Sequence, residues 1–141
     1  SEADICGRRA AEAAHGSGKR ILIAEDNDLN AEIAAELLSE MGFAVERAQD
    51  GDICVSMVER AEGGYYDLIL MDIQMPNMDG YQAAEAIRKL EDPSKAGIPI
   101  VAMTANAFEE DRKNAYAAGI NAHLAKPVNV PKMMETLSRF L

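Results

Sequence analysis

Short apolar runs alternate with helix-like segments from Lys19 to the end of the chain. The runs predicted to be strands are Ile21–Ala24, Ala44–Ala48, Asp67–Met71, Ile98–Met103 and Ala122–Ala125. The first, third and fourth are almost wholly apolar, as strands buried on both faces of a sheet must be. The second and fifth carry more polar residues, so we expect them nearer the edges of the sheet.

The intervals between these runs show helical spacing of apolar residues. The predicted helices are Leu29–Met41, Asp52–Glu62, Tyr81–Leu90, Phe108–Ala118 and Pro131–Leu141. In the first helix we expect one buried face, and Gly42 is expected to end it. The residues assigned to that face are Ile33, Leu37, Leu38 and Met41.

Five strand–helix units predict an α/β fold, in which helices cover both faces of a parallel sheet. Ligands of such sheets bind outside the carboxyl ends of the strands, near the point where the strand order reverses. The residues that directly follow each strand are therefore the candidates for a functional site.

Composition narrows the class of protein. The 141 residues carry a formal charge of −10, and 48% of them are hydrophobic, which is typical of a globular domain. The excess of acid argues against direct nucleic-acid binding, which needs clustered Lys and Arg. No stretch reaches the roughly 18 apolar residues of a membrane span, and we expect no membrane contact.

The first 18 residues differ from the rest of the chain. They are rich in Ala, Gly and charged residues, and we interpret residues 1–18 as a linker or the cut end of a longer protein, followed by one domain over 19–141. Cys6 and Cys54 are too far apart in sequence to suggest a metal-binding pair or a disulfide framework. With no signal-peptide pattern at the N-terminus, a reducing cytoplasmic location is the default.

Polar side chains follow four of the predicted strands. Glu25 and Asp26 follow the first, Asp72 the third, Thr104 the fourth and Lys126 the fifth. Carboxylates crowded on one rim repel each other unless a cation joins them, and oxygen ligands of this kind suit Mg²⁺. A lysine and a hydroxyl nearby would bind an anion, so the set predicts phosphoryl transfer to a carboxylate, with Asp72 as nucleophile.

Each of these residues also has a structural interpretation. The acidic run from Glu25 to Asp28 is a reasonable helix cap, Thr104 alone is more often a structural hydroxyl, and Lys126 alone is usually a solvated lysine. Asp72 is harder to explain structurally, because an acid that closes a buried strand loses hydration. The joint arrangement favours the functional interpretation.

The segment from Asp67 to Gly80 resembles the receiver domains of two-component signalling. The resemblance rests on Asp72, Met75-Pro76 and Gly80, and also on Thr104-Ala105, Lys126-Pro127 and the pair Glu25-Asp26. It covers about residues 19–141 and implies a flavodoxin-like fold, a (βα)₅ three-layer sandwich whose strand order is 2-1-3-4-5.

The resemblance also implies residue roles. Asp72 would accept a phosphoryl group from a phosphohistidine on a histidine kinase or phosphotransfer domain, and Thr104 and Lys126 would bind the phosphoryl oxygens. Asp26, Asp72 and the backbone carbonyl of Gln74 would bind Mg²⁺ directly, and Glu25 through water. The amides Gln74 and Asn106 would influence the lifetime of the phosphorylated state. Phosphorylation would switch the surface formed by strand four, the following helix and strand five, and weak self-association is an expected property.

His123 departs from the family pattern, which has an aromatic switch residue three positions before the lysine. We expect either a less hydrophobic switch that works with Thr104 or a surface imidazole on an edge strand. The run from Gly119 to Pro127 is most similar to receivers of hybrid sensor histidine kinases, and a free-standing response regulator is the alternative. The domain alone is expected not to be an enzyme, apart from slow self-dephosphorylation.

Three other functions fit less well. Phosphatases of the haloacid-dehalogenase type need a second Asp two residues after the nucleophile, where this chain has Gln74. A flavodoxin-like cofactor site needs a phosphate-binding first loop, which Glu25 and Asp26 would oppose. A degenerate receiver kept only for docking is disfavoured because every site residue is present.

Overall fold

The computed structural model describes residues 18–105 and 109–141. Five parallel strands form one sheet in the order β2-β1-β3-β4-β5, as predicted. The strands are β1 (Arg20–Ala24), β2 (Ala44–Ala48), β3 (Leu68–Asp72), β4 (Ile100–Thr104) and β5 (Ala122–Ala125). The two less apolar strands, β2 and β5, lie at the edges, which confirms the expectation from their composition.

Six helices connect or follow these strands in the part of the chain that the structure describes. They are α1 (Asp28–Glu40), α2 (Gly51–Arg60), α3 (Gly80–Arg88), α4 (Pro93–Ala96), α5 (Glu109–Ala117) and α6 (Val130–Ser138). Side chains that accept a backbone N–H cap most of them, including Asn27 for α1, Asp50 for α2 and Asp79 for α3. Within the described residues, no helix has both the length and the apolar composition that a membrane span requires.

The sheet separates two apolar cores. Helices on one face, the sheet and helices on the other face form the expected three layers. On one face, Leu38 of α1 and Met133 of α6 pack against Ile23 and other β-strand residues. On the other face, Cys54 of α2, together with residues of α3 and α5, covers the opposite side of the same strands. Because side chains alternate between faces along a strand, the central strands must be apolar at every position. Leu68, Ile69, Leu70 and Met71 are accordingly all fully buried.

Several sequence-based boundaries were wrong. Strand β3 begins at Leu68 and includes Asp72, and the carboxylate of Asp67, just before the strand, accepts the Arg20 N–H at 2.8 Å. Strand β4 begins at Ile100, two residues later than predicted, and includes Thr104. The short helix α4 was missed, although Asp92 followed by Pro93 is a typical helix start. The predicted start of the fourth helix, Phe108, lies outside the described residues.

Helix α1 buries fewer of its apolar residues than its spacing predicts. Leu38 and Met41 are buried, but half of the surface of Ile33, on the same apolar face, is exposed. Ala34 takes its place against the sheet, because the helix packs through small residues there. Gly42, with φ of +95°, adopts the left-handed conformation that ends the helix, as expected.

Candidate functional site

The carboxyl ends of three strands bring together Glu25, Asp72 and Lys126. Glu25 directly follows β1, Asp72 closes β3, and Lys126 directly follows β5. The Lys126 Nζ donates to Glu25 Oε1 at 3.0 Å and lies 3.3 Å from Asp72 Oδ2. One ammonium group, on the residue that follows β5, therefore bridges two carboxylates at the ends of the neighbouring strands β1 and β3.

Asp26 completes an acidic cluster with Glu25 and Asp72. Each residue offers one carboxylate oxygen, and these oxygens all lie within 4.8 Å of one another. Glu25 is 2% exposed and Asp72 is 5% exposed, whereas Asp26 faces solvent. A cluster of oxygen ligands with one open side is suited to a hard divalent cation that keeps part of its water shell.

The electrostatics of the cluster follow from burial and like charge. Burial raises the pKa of Glu25, and its contact with Asp72 raises it further, while Lys126 only partly offsets this. Burial by itself lowers the pKa of Lys126, but the bond to Glu25 and the charge of Asp72 outweigh it, so the pKa lies above its usual value. Lys126 thus stays protonated, and its single positive charge does not balance the negative charges of the carboxylates.

The loop between β3 and α3 is held close to Asp72. The Gln74 N–H donates to Asp72 Oδ1 at 3.3 Å, and the Gly80 N–H donates to the Ile73 carbonyl at 2.9 Å. A side chain on Gly80 would put its Cβ 2.6 Å from the Asp72 carbonyl oxygen, so only glycine fits. Gly80 is part of the family resemblance, but this close approach of two backbones has no sequence signal.

Thr104 lies at the end of β4 on the same rim. It is half-buried and lines an open cleft with Asp26, Gln74 and other residues of the β3–α3 loop. Its carbonyl accepts the Lys126 N–H at 2.8 Å, and the Lys126–Pro127 peptide bond is cis. The structure therefore places Thr104 and Lys126 side by side, as the sequence predicts.

His123 lies on β5 and is half-buried. Its ring packs edge to face against Tyr116 of α5, with ring centroids 5.6 Å apart and an interplanar angle of 88°. Tyr116 was not anticipated from the sequence, where it is one aromatic residue in a mostly polar helix. The predicted switch surface of strand four, the following helix and strand five is described only in part, because residues 106–108, with Asn106, lie outside the described residues.

An apolar groove adjoins the site. It is lined by Ile33, Leu37, Met103, Val128 and neighbouring residues, and Lys126 belongs both to the groove and to the acidic cluster. Leu29 is 65% exposed on the same helix as Ile33. Exposed apolar residues beside a polar site are typical of a surface that another molecule contacts.

Sequence reasoning also missed Arg47 of β2. Its guanidinium donates to the Glu25 carbonyl through Nε at 3.1 Å and Nη2 at 2.8 Å. An arginine on a polar edge strand gives no sign of such a contact, because the contact depends on how β1 and β2 pair.

The sequence model of one family, described as the response regulator receiver domain, matches residues 21–138. The chain is similar to the receiver domain of sensor histidine kinase PA1611 from Pseudomonas aeruginosa, whose crystal structure has a magnesium ion coordinated in the active-site cleft. The identity is 39%, the TM-score is 0.78, and the match covers 88% of this chain and 98% of that one. It is also similar to a chain in the co-crystal structure of the Saccharomyces cerevisiae phosphotransfer protein Ypd1 with the receiver domain of Ssk1. There the identity is 30% with a TM-score of 0.78, and the match covers 88% of this chain and 89% of that one.

Among curated proteins, the peroxide stress-activated histidine kinase mak1 of Schizosaccharomyces pombe is 38% identical over 126 residues, 89% of this chain. Hybrid signal transduction histidine kinase B of Dictyostelium discoideum is 40% identical over 125 residues, 82% of this chain. The chain spans only 8% and 6% of the length of these two relatives. The family match over most of the chain, the shared fold and the acidic rim agree, and the chain belongs to the response regulator receiver domain family.

Proposed function

We propose that this chain is a phosphoacceptor signalling domain that takes a phosphoryl group onto Asp72. The observation that carries the proposal is the bridge of Lys126 between Glu25 and Asp72, with the Lys126 Nζ 3.3 Å from Asp72 Oδ2. A carboxylate beside a fixed ammonium group can hold a transferred anion whose charge the ammonium group neutralises.

The chemistry requires an in-line displacement at phosphorus. One Asp72 carboxylate oxygen attacks the phosphorus of a phosphohistidine, the P–N bond breaks as the P–O bond forms, and the donor imidazole leaves. Lys126 then binds one phosphoryl oxygen, and the Thr104 hydroxyl donates to another. Most of the rate enhancement would come from positioning and charge neutralisation, which Lys126 and Thr104 provide around the Asp72 nucleophile.

The acidic cluster fits Mg²⁺. Three carboxylates converge within 4.8 Å, and burial and the neighbouring Asp72 raise the pKa of Glu25, because Lys126 offsets the negative charge only in part. Asp26, Asp72 and the Gln74 carbonyl would bind the ion, with Glu25 acting through water. Bound there, Mg²⁺ would neutralise charge on the transferred group.

The test is phosphorylation by acetyl phosphate and Mg²⁺, followed by intact mass. We expect one added phosphoryl group on the parent, base-labile as an acyl phosphate is, and none on Asp72→Asn. Asp52→Asn removes an exposed acid of α2 and serves as the matched control, which should be labelled like the parent. Equal labelling of the Asp72 variant would refute the assignment.

The donor is proposed to be a phosphohistidine on a histidine kinase or phosphotransfer protein. The apolar groove next to Lys126 supports this, because a folded donor that reaches Asp72 would cover Ile33 and Leu29. Phosphorylated Ypd1 is a donor of the right class. Ile33→Ser should slow transfer from it while leaving labelling by acetyl phosphate unchanged, and equal slowing of both reactions would place the effect in the site itself.

We further propose that the chain is the receiver part, over residues 19–141, of a hybrid sensor histidine kinase. The similarity to histidine kinases of which this chain spans only 8% and 6% supports this origin over a free-standing regulator. An antibody against the domain would then detect a polypeptide much longer than 141 residues in the source cells, and a band of the domain's own size would contradict the proposal. The linker role of residues 1–18, a cytoplasmic location, the lack of enzymatic activity in the isolated domain and weak self-association remain predictions.

The output switch is proposed to involve Thr104 and His123. When Thr104 turns to a phosphoryl group on Asp72, it leaves space into which the half-buried His123 ring can move, which would change its edge-to-face contact with Tyr116. Beryllofluoride, a mimic of the aspartyl phosphoryl group, should shift the NMR signals of both rings. Unchanged ring signals alongside shifted signals at Asp72 would make His123 a bystander.

A further inference from the structure

Arg47 reaches from the edge strand β2 to the loop that carries the first two acids of the site. It pairs in register with Ile23, one residue before the end of β1. Its Nε and Nη2 donate to the Glu25 carbonyl at 3.1 Å and 2.8 Å, and its Nη1 lies 2.7 Å from Asp28 Oδ1. Two N–H groups of the guanidinium therefore donate to the same backbone oxygen.

Glu25 needs such a partner because it lies just beyond the paired part of the sheet. The register of β1 with β2 ends at Ala24 and Ala48. The Glu25 N–H still donates to the Ala48 carbonyl at 3.1 Å, and the Arg47 side chain supplies the donor for its carbonyl. Both backbone polar groups of this buried residue are thus bound to β2.

The direction of Asp26 follows from these anchors. Asp26 is the single residue between Glu25 and Asn27, whose side chain caps α1 by accepting the Asn30 N–H at 3.0 Å. Because the Asp26 side chain is exposed, the backbone on either side sets the direction in which the side chain leaves the loop. A shift of the Glu25 carbonyl would turn the Asp26 carboxylate relative to Asp72.

We propose that Arg47 is a positioning residue, which holds the β1–α1 loop so that the carboxylates of Glu25 and Asp26 converge with that of Asp72. The inference rests on the proposed function for its consequence, which is tighter Mg²⁺ binding. The ion pair with Asp28 contributes little, since 82% of the Asp28 side chain is exposed. The two bonds to the Glu25 carbonyl carry the effect.

The sign of the effect on metal affinity separates positioning from simple charge. A positive charge near a cation site repels the cation, so removing Arg47 by charge alone would tighten Mg²⁺ binding. Loss of positioning would weaken it, because the ligands would no longer be held together. Replacement of residues that orient metal ligands typically lowers metal affinity by about 10-fold or more.

The experiment measures Mg²⁺ affinity by calorimetry at a temperature where every variant is fully folded. Arg47→Met keeps the length of the stem without the donors, and Arg47→Lys keeps the charge without the fork. Arg139→Met, at the C-cap of α6, is the charge-matched control, and Asp28→Asn removes only the ion pair. Hydrogen exchange of the Glu25 amide, which is bonded to Ala48, is followed in the metal-free proteins.

We expect both Arg47 variants to bind Mg²⁺ about 10-fold more weakly and to exchange the Glu25 amide faster, with both controls within about twofold of the parent. Parent-like or tighter affinity in Arg47→Met, with unchanged exchange, would overturn the proposal. A lower melting temperature with parent-like affinity would overturn it as well, since it would reveal a purely structural residue. If the parent itself failed to bind Mg²⁺, the proposed function would fall, and amide exchange would still decide the role of Arg47.

Discussion

Replacing Gly80 with alanine should disturb Asp72 through the backbone. The new Cβ would lie 2.6 Å from the Asp72 carbonyl oxygen and 2.9 Å from the Ile73 Cα. Ordinary contacts begin at 3.4 Å, so the first pair must separate by 3.4 − 2.6 = 0.8 Å. Both atoms belong to the main chain, and no side-chain rotation can relieve the contact. The shift therefore moves either the start of α3 or the end of β3.

Two opposing effects set the expected magnitude for Gly80→Ala. Alanine is favoured over glycine inside a helix by up to about 1 kcal/mol, and less at the first helical position, where Gly80 lies. Overpacking of this kind costs about 1–3 kcal/mol, so we expect a net loss of about 1–2 kcal/mol in the free energy of unfolding. A displacement approaching 1 Å at a reacting group lowers rates by roughly 100-fold, and phosphorylation of Asp72 should fall by about 10- to 100-fold.

Urea unfolding and the rate of labelling by acetyl phosphate measure the two effects separately. Gly97→Ala is the control, because its Cβ would lie 3.2 Å from the Pro93 carbonyl oxygen, a milder contact that does not involve the site residues. We expect it to be labelled at the parent's rate. A Gly80→Ala protein that is less stable but labelled normally would refute the coupling to Asp72, and one that matches the parent in both assays would refute the steric argument.

Three further predictions concern ionisable groups. Mg²⁺ should raise the melting temperature of the parent by mass action, and Asp26→Ala should lose most of that gain, whereas Glu36→Ala, exposed on α1, should retain it. Because burial and Asp72 raise the pKa of Glu25, its protonated form favours the folded state, and that contribution is lost as the pH rises through the raised pKa. Metal-free Glu25→Gln should therefore melt higher than the parent at pH 7, with the difference shrinking as the pH falls toward 4.5; a constant difference would contradict this. Burial raises the pKa of Cys54 to about 12, so in a Cys6→Ser background iodoacetamide at pH 8 should modify it only after denaturation, and rapid labelling of the folded protein would contradict its burial.

The strands and their layers could be predicted because burial leaves a strong pattern. Strand β3 is apolar at four successive positions, which only a strand covered on both faces requires. The edge strands could be recognised by their polar residues, which are Glu46 and Arg47 in β2 and His123 in β5. Helix α1 was harder, because the exposed Ile33 follows the helical period as well as a buried residue would. The spacing of apolar residues predicts a helix, but it does not distinguish residues that pack in the core from residues that another molecule contacts.

The site residues could be predicted because parallel strands gather their carboxyl ends on one rim. This rule predicts that Asp72, Lys126 and Glu25 lie close together. No such rule predicts the contacts that depend on the pairing of neighbouring strands or on a close approach of two backbones. Arg47 reaches Glu25 only because β2 lies beside β1, and Gly80 matters only because α3 begins against the Asp72 carbonyl.

Arg47, Gly80 and Lys126 have a common physical role at the rim. A sheet supplies its own hydrogen bonds only up to the last paired residue, and the functional groups lie at that point or just beyond it. Arg47 supplies the donor that β2 lacks for the Glu25 carbonyl, and Gly80 leaves room for the loop after Asp72 to return to the sheet. Lys126 supplies the charge that the carboxylates lack without a metal. Loss of any one should leave the sheet intact and loosen the rim, so the variants should separate phosphorylation from folding more clearly than substitutions in the core.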